Sequence, residues 1–390
     1  MNKDLKIDKT NWKSVKFGDV VFEPKESMKD AVAENVQHVV GLEHIDAGDI
    51  HLRKSASIAE STTFTKKFSK GDVLFGRRRA YLKKAAQAEF DGICSGDITV
   101  FRAKANLLPE LLPFVVNNDK FFDYAIKHSA GGLSPRVKFV DLANYEFLLP
   151  PKDQQAKLAE LLWAMDEVIE KEKVVLESLK VSYQLEIEHS VPRNTSEKWV
   201  LGNVIKTRKG VTYKSDDYSN EINGIPLLNL KSIERGGGFN REGIKYYEGP
   251  YKEEHFAKND DLIIACTDIT REGRVVGYPL HPSIYQDKRM LFTMDLVAIE
   301  ISETSLSRDY LYYVLKANWV HWILFAYSPG TTVLHLDLNG MKKIKFPKYS
   351  IVIQNNIVLK LRKFEESISN IESKIQAAQS VQKSLINQVF

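Results

Sequence analysis

Apolar residues recur at steps of three and four through two long segments that contain neither proline nor glycine. In residues 153–189, Leu162, Met165, Ile169, Leu176, Leu179 and Tyr183 keep this rhythm, which breaks only at Glu172. In residues 351–390, Ile357, Leu361, Phe364, Ile368, Ile371, Ile375, Ala378, Gln382, Leu385 and Val389 do the same with one polar member. So narrow and long a stripe predicts a coiled-coil seam, because a helix packed only on its own domain shows a broader apolar face. Residues 153–188 carry nine acids and four bases, and residues 350–390 three acids and five bases. These opposite net charges suit the two arms to each other.

Ahead of each arm the texture is different. Short runs rich in Val, Ile, Phe and Thr, at 71–75, 93–102 and 261–266, read as strands. An amphipathic helix follows at 109–129 in the first half and at 308–328 in the second, each ending before glycine at Gly131-Gly132 or Gly330. One more strand leads into Pro150-Pro151 or Pro347. The two halves also share letters. Phe68-Ser-Lys-Gly-Asp-Val-Leu-Phe75 matches Phe256-Ala-Lys-Asn-Asp-Asp-Leu-Ile263 at four of eight positions, 188 residues apart. Trp12 before Gly18 is echoed by Trp199 before Gly202. Val140-Asp141-Leu142 aligns with Leu336-Asp337-Leu338 at an offset of 196, and Gln154-Gln155-Ala156 with Gln354-Asn355-Asn356 at 200. Four pairs in one order mark an internal duplication. The expected fold is α+β: two tandem homologous domains at 1–152 and 192–348, each followed by a long helix, at 153–191 and 349–390. The two helices would form an antiparallel coiled coil with pseudo-two-fold symmetry.

Composition narrows the class. Of 390 residues, 43% are hydrophobic and 27% charged, which fits a globular chain rather than a disordered or disulfide-stapled one. Two cysteines, Cys94 and Cys266, cannot build a Cys-rich zinc site and read as free thiols in a reducing compartment. The start shows no apolar run of a signal peptide, and the longest apolar cluster, 319–327, is far short of the ~20 residues a membrane span needs. A cytoplasmic protein is expected.

Net charge is only +4, but the arms together contribute −3, so the globular parts carry +7. Residues 66–84 hold eight Lys or Arg against the single Asp72, including Arg77-Arg78-Arg79 and Lys83-Lys84 beside Tyr81. Such a loop can neutralise phosphates and offer guanidinium forks to guanine edges. The second half places Lys206, Arg208, Lys209 and Lys214 near its start, and Arg271 and Arg274 after the matching strand. Enzyme signatures fail in turn. Gly71 and Gly76 have the spacing of a phosphate loop, but Arg77 and Arg78 stand where Lys and Ser/Thr are required. Pro150-Pro151 lies in Leu-Pro-Pro-Lys rather than the Asn/Asp-Pro-Pro-Tyr/Phe of adenine methyltransferases. The nine histidines show no metal-ligand spacing, and Gly-x-Ser-x-Gly is absent. No metal site and no catalytic group are expected in this chain.

Two basic α+β domains, each followed by a heptad helix, resemble the specificity subunit of type I restriction–modification enzymes. The resemblance is carried by Phe68–Phe75, Ser129-Ala-Gly-Gly-Leu-Ser134 with Asp141-Leu142, and Phe147-Leu-Leu-Pro-Pro-Lys-Asp-Gln-Gln155. In the second half it is carried by Phe256–Ile263, Ser328-Pro-Gly-Thr-Thr332, Asp337-Leu338 and Phe346-Pro347 leading to Gln354. Two departures are the extra residues between Pro347 and Gln354, and Asn259-Asp260 in place of Gly71-Asp72.

The resemblance implies a non-catalytic reader of double-stranded DNA, with one target-recognition domain per half-site of an asymmetric bipartite target. Its helices would space the domains and dock two modification subunits that bind S-adenosylmethionine and methylate adenine N6. A restriction subunit using ATP and Mg²⁺ would join them, so no cofactor is expected in this chain. A helix of ~36 residues is roughly 54 Å long, enough to hold two domains one DNA turn apart. Candidate DNA contacts are Arg77, Arg78, Arg79, Lys83 and Lys84, with Arg136 and Lys138 after the glycine turn. In the second half they are Lys206, Arg208, Lys209, Arg271 and Arg274, with Lys231 and Arg235 behind. The candidate helix-pairing residues are Leu162, Met165, Ile169, Leu176, Leu179, Tyr183, Ile357, Leu361, Phe364, Ile368, Ile371, Ile375 and Leu385. A two-headed nucleic-acid binder outside restriction, and a coiled-coil scaffold with incidental basic faces, are the rival readings.

Overall fold

The computed structural model describes residues 7–28, 36–57 and 63–390. Residues 1–6, on which the expectation of no signal peptide rests, lie outside them. The fold divides into two compact units: Met1–Val174 with Glu372–Phe390, and Val175–Ile371.

The first unit is built on a five-stranded sheet in the order Val21–Phe22, Ile98–Ala103, Val73–Gly76, Ala85–Ala88, His51–Leu52. A three-stranded sheet of Val39–Val40, Gly92–Cys94 and Lys66–Phe68 lies in the same unit. The middle strands are runs of apolar residues because both of their faces are covered. Phe17, Phe75, Phe101 and Phe121 meet in the core with ring centroids 4.9–6.3 Å apart. In the second unit, Leu296–Ile301 lies between Ile205–Lys209 and Asp261–Ala265, all antiparallel. A four-stranded sheet of Tyr218–Ser219, Lys245–Tyr247, Ile225–Leu228 and Leu291–Phe292 stands beside it in sequence. The run at 93–102 proves to be two strands, separated by the turn Ser95-Gly96-Asp97.

Two long helices run Lys152–Ser190 and Ile351–Val389. Within the first unit they pair antiparallel: Gln382 donates to Leu162 O (3.2 Å), and Lys374 pairs with Glu172. Within the second unit the same sense holds, with Lys360 2.7 Å from Glu186 and Tyr183 donating to Glu365. None of the thirteen pairing candidates is exposed, and cross-helix ion pairs answer the opposite charges of the arms. Glu172, the break in the first seam, is held by its lysine partner.

Each helix is tied to its globular part by one buried glutamine. Gln155 Oε1 accepts from Leu108 N–H (2.9 Å), and its amide donates to Asn106 O and Pro150 O (both 3.0 Å). Gln354 does the same with Ser307 N–H, Ser305 O and Tyr349 O, each at 2.8 Å. Both side chains are inaccessible to solvent, at 1% and 0%.

These bonds correct the repeat alignment. Gln155, not Gln154, matches Gln354, while Gln154 instead accepts from the Trp12 indole (2.7 Å). The same 199-residue spacing relates Phe147 to Phe346 and Ala143 to Lys342, whose carbonyls take Gly18 and Gly202 N–H. Added Cβ atoms at Gly18 and Gly202 would sit 2.7 and 2.8 Å from the neighbouring side chain, so both sites exclude larger residues. Pro347 therefore falls at Leu148 inside the strand, and there are no extra residues before Gln354. Asp337 likewise caps the helix Leu338–Met341 where Lys138 precedes Phe139–Leu142, one turn away from the Asp141 match. Short shared words misled the alignment by one to three residues.

The two amphipathic helices are each broken. The first divides into Leu112–Val116 and Asp119–Lys127, because the Asn118 side chain accepts from Lys120 and Phe121 N–H and starts a new helix. The second divides into Arg308–Lys316 and Asn318–Ala326 at an extended Ala317.

Replacing Gln155 or Gln354 with Ala leaves one N–H and two carbonyls without their partner, so each should cost about 1–3 kcal/mol. Urea unfolding of single and double variants checks this, and unchanged midpoints would contradict it.

Candidate nucleic-acid interface

The basic run leaves the strand Val73–Gly76 and turns sharply. Arg79 and Lys83 adopt left-handed backbone conformations (φ 55° and 50°), and Asp287 is the one other non-glycine with positive φ among the described residues. Such conformations cost on the order of 1 kcal/mol each and persist where surrounding bonds fix them. Here the loop is pinned by Arg79 N–H to Pro135 O (2.8 Å) and Val137 N–H to Arg77 O (3.0 Å). This lays it against residues 130–137, which carry Gly131, Leu133 and Arg136.

Asp97 is the hub. Its carboxylate accepts from Arg78 (3.1 Å) and Arg136 (2.7 Å), and Arg78 also reaches Ser134 Oγ (3.1 Å). Burial opposes ionisation of Asp97, but the Arg136 and Arg78 bonds outweigh it and hold the carboxyl below its usual range. Both guanidiniums remain partly open to solvent, alongside exposed Arg79, Tyr81, Leu82, Lys138 and a Leu133 that is 97% exposed. This patch has the basic and aromatic character that phosphate and base contacts require.

Two other first-half candidates are committed to the fold. Lys83 pairs with Asp119 (2.9 Å), which also holds Lys383 and Asn387 near the end of the second long helix. Lys84 donates to Leu42 O (2.7 Å). Arg77 is half-buried, and its Nε is enclosed without a hydrogen-bond partner.

In the second half, Arg208 is structural as well. Its guanidinium binds Asp261, Glu300 (3.0 Å), Phe256 O (3.0 Å) and Glu254 O. Burial pushes the Asp261 carboxyl up, against the pull of Lys258 N–H and Arg208. Asp261 is also the true counterpart of Asp72, since each accepts the N–H three residues earlier, from Lys258 and Ser69. Asp72 takes its arginine from Ile98–Ala103, at Arg102 (2.7 Å), whereas Asp261 takes Arg208 from Ile205–Lys209, the neighbour of the corresponding strand Leu296–Ile301. Spacing alone could not have exposed this exchange.

The remaining candidates are accessible. Lys206, Lys209, Lys231, Arg235 and Arg271 are exposed, and Arg274 is half-exposed with Glu272 at 3.5 Å. Gly236 donates to Arg274 O (3.1 Å), so the turn bearing Arg235 rests on the loop bearing Arg271 and Arg274. Buried Asp268 holds that loop through Thr270, Val275 and Val276 N–H. The loops themselves correspond: Gly76 donates to Lys84 O and Ala265 to Tyr278 O. At residue level, however, Cys266-Thr267-Asp268 stands where the first half has Arg77-Arg78-Arg79, so the charges are not duplicated in place. Burial pushes the Cys266 and Cys94 thiols up to about 12.

Sequence spacing also missed one cluster. His51, Asp166 and Glu170 place ligand-type atoms within 4.8 Å of one another. Their partners are already present: His51 bonds Asp166 (2.7 Å) and Glu89 (3.0 Å), and Arg53 and Lys173 pair with Glu170 (2.8 and 2.9 Å). This is an ion-pair clamp between residues 49–53 and the first long helix. Because 115 residues separate His51 from Asp166, no local motif signals it.

Arg208→Ala leaves Asp261 buried and unpaired and should destabilise by about 3 kcal/mol or more, whereas Arg136→Ala should leave the unfolding free energy within ~0.5 kcal/mol of the parent's. Chemical denaturation of the two variants separates them. The Asp166 hydrogen bond, against burial and with help from Glu89, raises the His51 pKa above its ordinary 6.5. A raised folded-state pKa means that the stabilisation is complete below 6.5 and lost as pH climbs through the higher folded value. The stability difference between the parent and His51→Gln should therefore shrink as pH rises above 6.5. A difference independent of pH would refute the clamp.

Among the described residues, no helix is long and apolar enough to cross a membrane. Residues 9–180 match the family model of the type I restriction modification DNA specificity domain. This chain is 26% identical over 176 residues to the type I restriction enzyme EcoDI specificity subunit of Escherichia coli, covering 44% of this chain and 39% of that one. It is 19% identical over 183 residues to the EcoBI specificity subunit of the same organism, covering 47% and 35%. The matched region thus spans less than half the length of these curated relatives. The fold extends further. A chain from a structural study of complex assembly and conformational transition in a type I R-M system aligns over 97% of this chain and 96% of its own, with TM-score 0.60 and 21% identity. The S subunit of a type I restriction–modification system from M. genitalium aligns over 100% and 98%, with TM-score 0.56 and 12% identity. The resemblance to type I specificity subunits is thereby shown: residues 9–180 are a type I restriction–modification DNA specificity domain, in a chain whose whole length has the S-subunit fold.

Proposed function

We propose that the chain is the DNA-reading, non-catalytic specificity subunit of a type I restriction–modification complex. It binds double-stranded DNA at an asymmetric bipartite target, one half-site for each globular domain. The observation that carries this reading is the duplication itself. Two domains share an anchor glutamine, a close-packed glycine and a buried turn aspartate, yet present different side chains from the corresponding loop. Equal scaffolds with unequal loops are what two different half-sites call for.

The long helices supply the second part of the proposal. Val168, Val174, Val175, Val181, Leu185 and Leu359 are exposed apolar residues on them, which suits docking of protein partners. Those partners would be two modification subunits that hold S-adenosylmethionine and transfer its methyl group to adenine N6. A restriction subunit supplied with ATP and Mg²⁺ would act with them.

The test is methylation. When the chain is co-expressed with its methyltransferase partner, sequencing of host DNA should show N6-methyladenine on a split motif that disappears when this gene is deleted. Motifs that survive deletion would refute the recognition role. Direct binding should weaken with salt at a log–log slope of several units, and a flat response would favour a scaffold.

A further inference from the structure

We propose that the second globular domain reads its half-site at the cavity beside Asp295, with acceptor and hydroxyl chemistry where the first domain uses arginine. This rests on the DNA-reading role proposed above and names the side chains that would carry it out.

The two sites share one backbone frame. Arg77 N–H donates to Asp97 O (3.0 Å), as Cys266 N–H does to Asp295 O (2.9 Å). Val137 N–H donates to Arg77 O (3.0 Å), as Leu336 N–H does to Cys266 O (2.8 Å). Arg78 bridges to Arg136 as Thr267 pairs with His335. Asp97 and Asp295 therefore hold the same place, just before the corresponding strands Ile98–Ala103 and Leu296–Ile301.

What surrounds them differs. Asp97 is saturated by two guanidiniums. Asp295 accepts from the Tyr213 hydroxyl (2.9 Å) and the Thr267 hydroxyl (3.2 Å), both uncharged. It borders a cavity of about 410 Å³ that Lys209, Cys266, His335 and Asn339 also line. Lys209, His335 and Asn339 are exposed, so the cavity opens to solvent. Burial raises the Tyr213 phenol well above its ordinary range, with the Asp295 bond adding to it, so the phenol stays a donor to the carboxylate.

The chemistry then separates the half-sites. Arginine forks donate to guanine O6 and N7, whereas a carboxylate accepts from the exocyclic amino group of cytosine. Adenine offers an amino group too, which the Asn339 amide can also meet. The first half-site is thus expected to hold a guanine opposite Arg78 and Arg136. The second holds an amino-bearing base opposite Asp295.

The experiment uses the full chain co-expressed with its methyltransferase, reading the host methylome together with binding to duplex oligonucleotides carrying every base at each motif position. Asp295→Asn, and separately His335→Ala at an exposed side chain, should lower discrimination ~10- to 100-fold at one position of the second half-site. The first half-site should be unchanged. Arg136→Ala should relax one G·C position of the first half-site alone. If the unaltered chain specifies a split motif but Asp295→Asn and His335→Ala keep it intact, or weaken all sequences alike, this inference is overturned while the recognition role stands. If the unaltered chain specifies no motif, the recognition role itself fails, and this inference with it.

Discussion

One buried carboxamide in each half, Gln155 and Gln354, decides where the long helices begin and how they leave their domains. A glutamine side chain can satisfy one N–H and two carbonyls at once, and here all three belong to the loop and strand end from which the helix departs. Because an unmet polar group in such a site costs more than the bond itself returns, no small shift of the helix start is tolerated. The glycines at 18 and 202 act in the same region by letting the first turn of each domain close against residues 143 and 342. Helix direction is thus fixed by polar satisfaction, and the apolar seam follows from it.

The seam is nonetheless what the sequence announces most clearly. A stripe at 3–4 spacing is visible without any knowledge of partners, and the side chains it selects are the ones withdrawn from solvent. The strand runs were legible for the same reason, since a strand covered on both faces must be apolar throughout. The breaks in the shorter helices were not, because they depend on capping by Asn118 and on an extended Ala317, where periodicity continues through the interruption. The repeat was evident, but its register was blurred by chance letters such as Asp141 against Asp337, one helical turn apart.

Charge was the hardest to interpret. A run of lysines and arginines looks the same whether its heads point to water or into carboxylates. Lys83, Lys84 and Arg208 are held by Asp119, a carbonyl and the acids Asp261 and Glu300, while Arg79, Lys138 and Arg271 lie open. Their partners sit tens of residues away, so only the fold sorts them. The two domains even solve the same problem differently: Arg102 lies on Ile98–Ala103 and pairs with Glu26 as well as Asp72, whereas the corresponding strand of the second domain carries Glu300, which pairs with Arg208 from the strand beside it. The requirement is a cation for the turn aspartate, and its source is free to change.

The last residues of the chain belong to the first unit. Leu385, Ile386, Val389 and Phe390 enter the core that contains Trp12, Phe121 and Leu162, and Lys9 donates to the carbonyls of Gln388 and Val389. This dictates an order of events on the ribosome. The second unit is complete once Ile371 has emerged, although it starts later in the gene. The first is left with an open apolar surface from the moment Val174 is made until Phe390 follows, an interval of ~10–40 s at ~5–20 residues per second. The domain translated first is the one that finishes last.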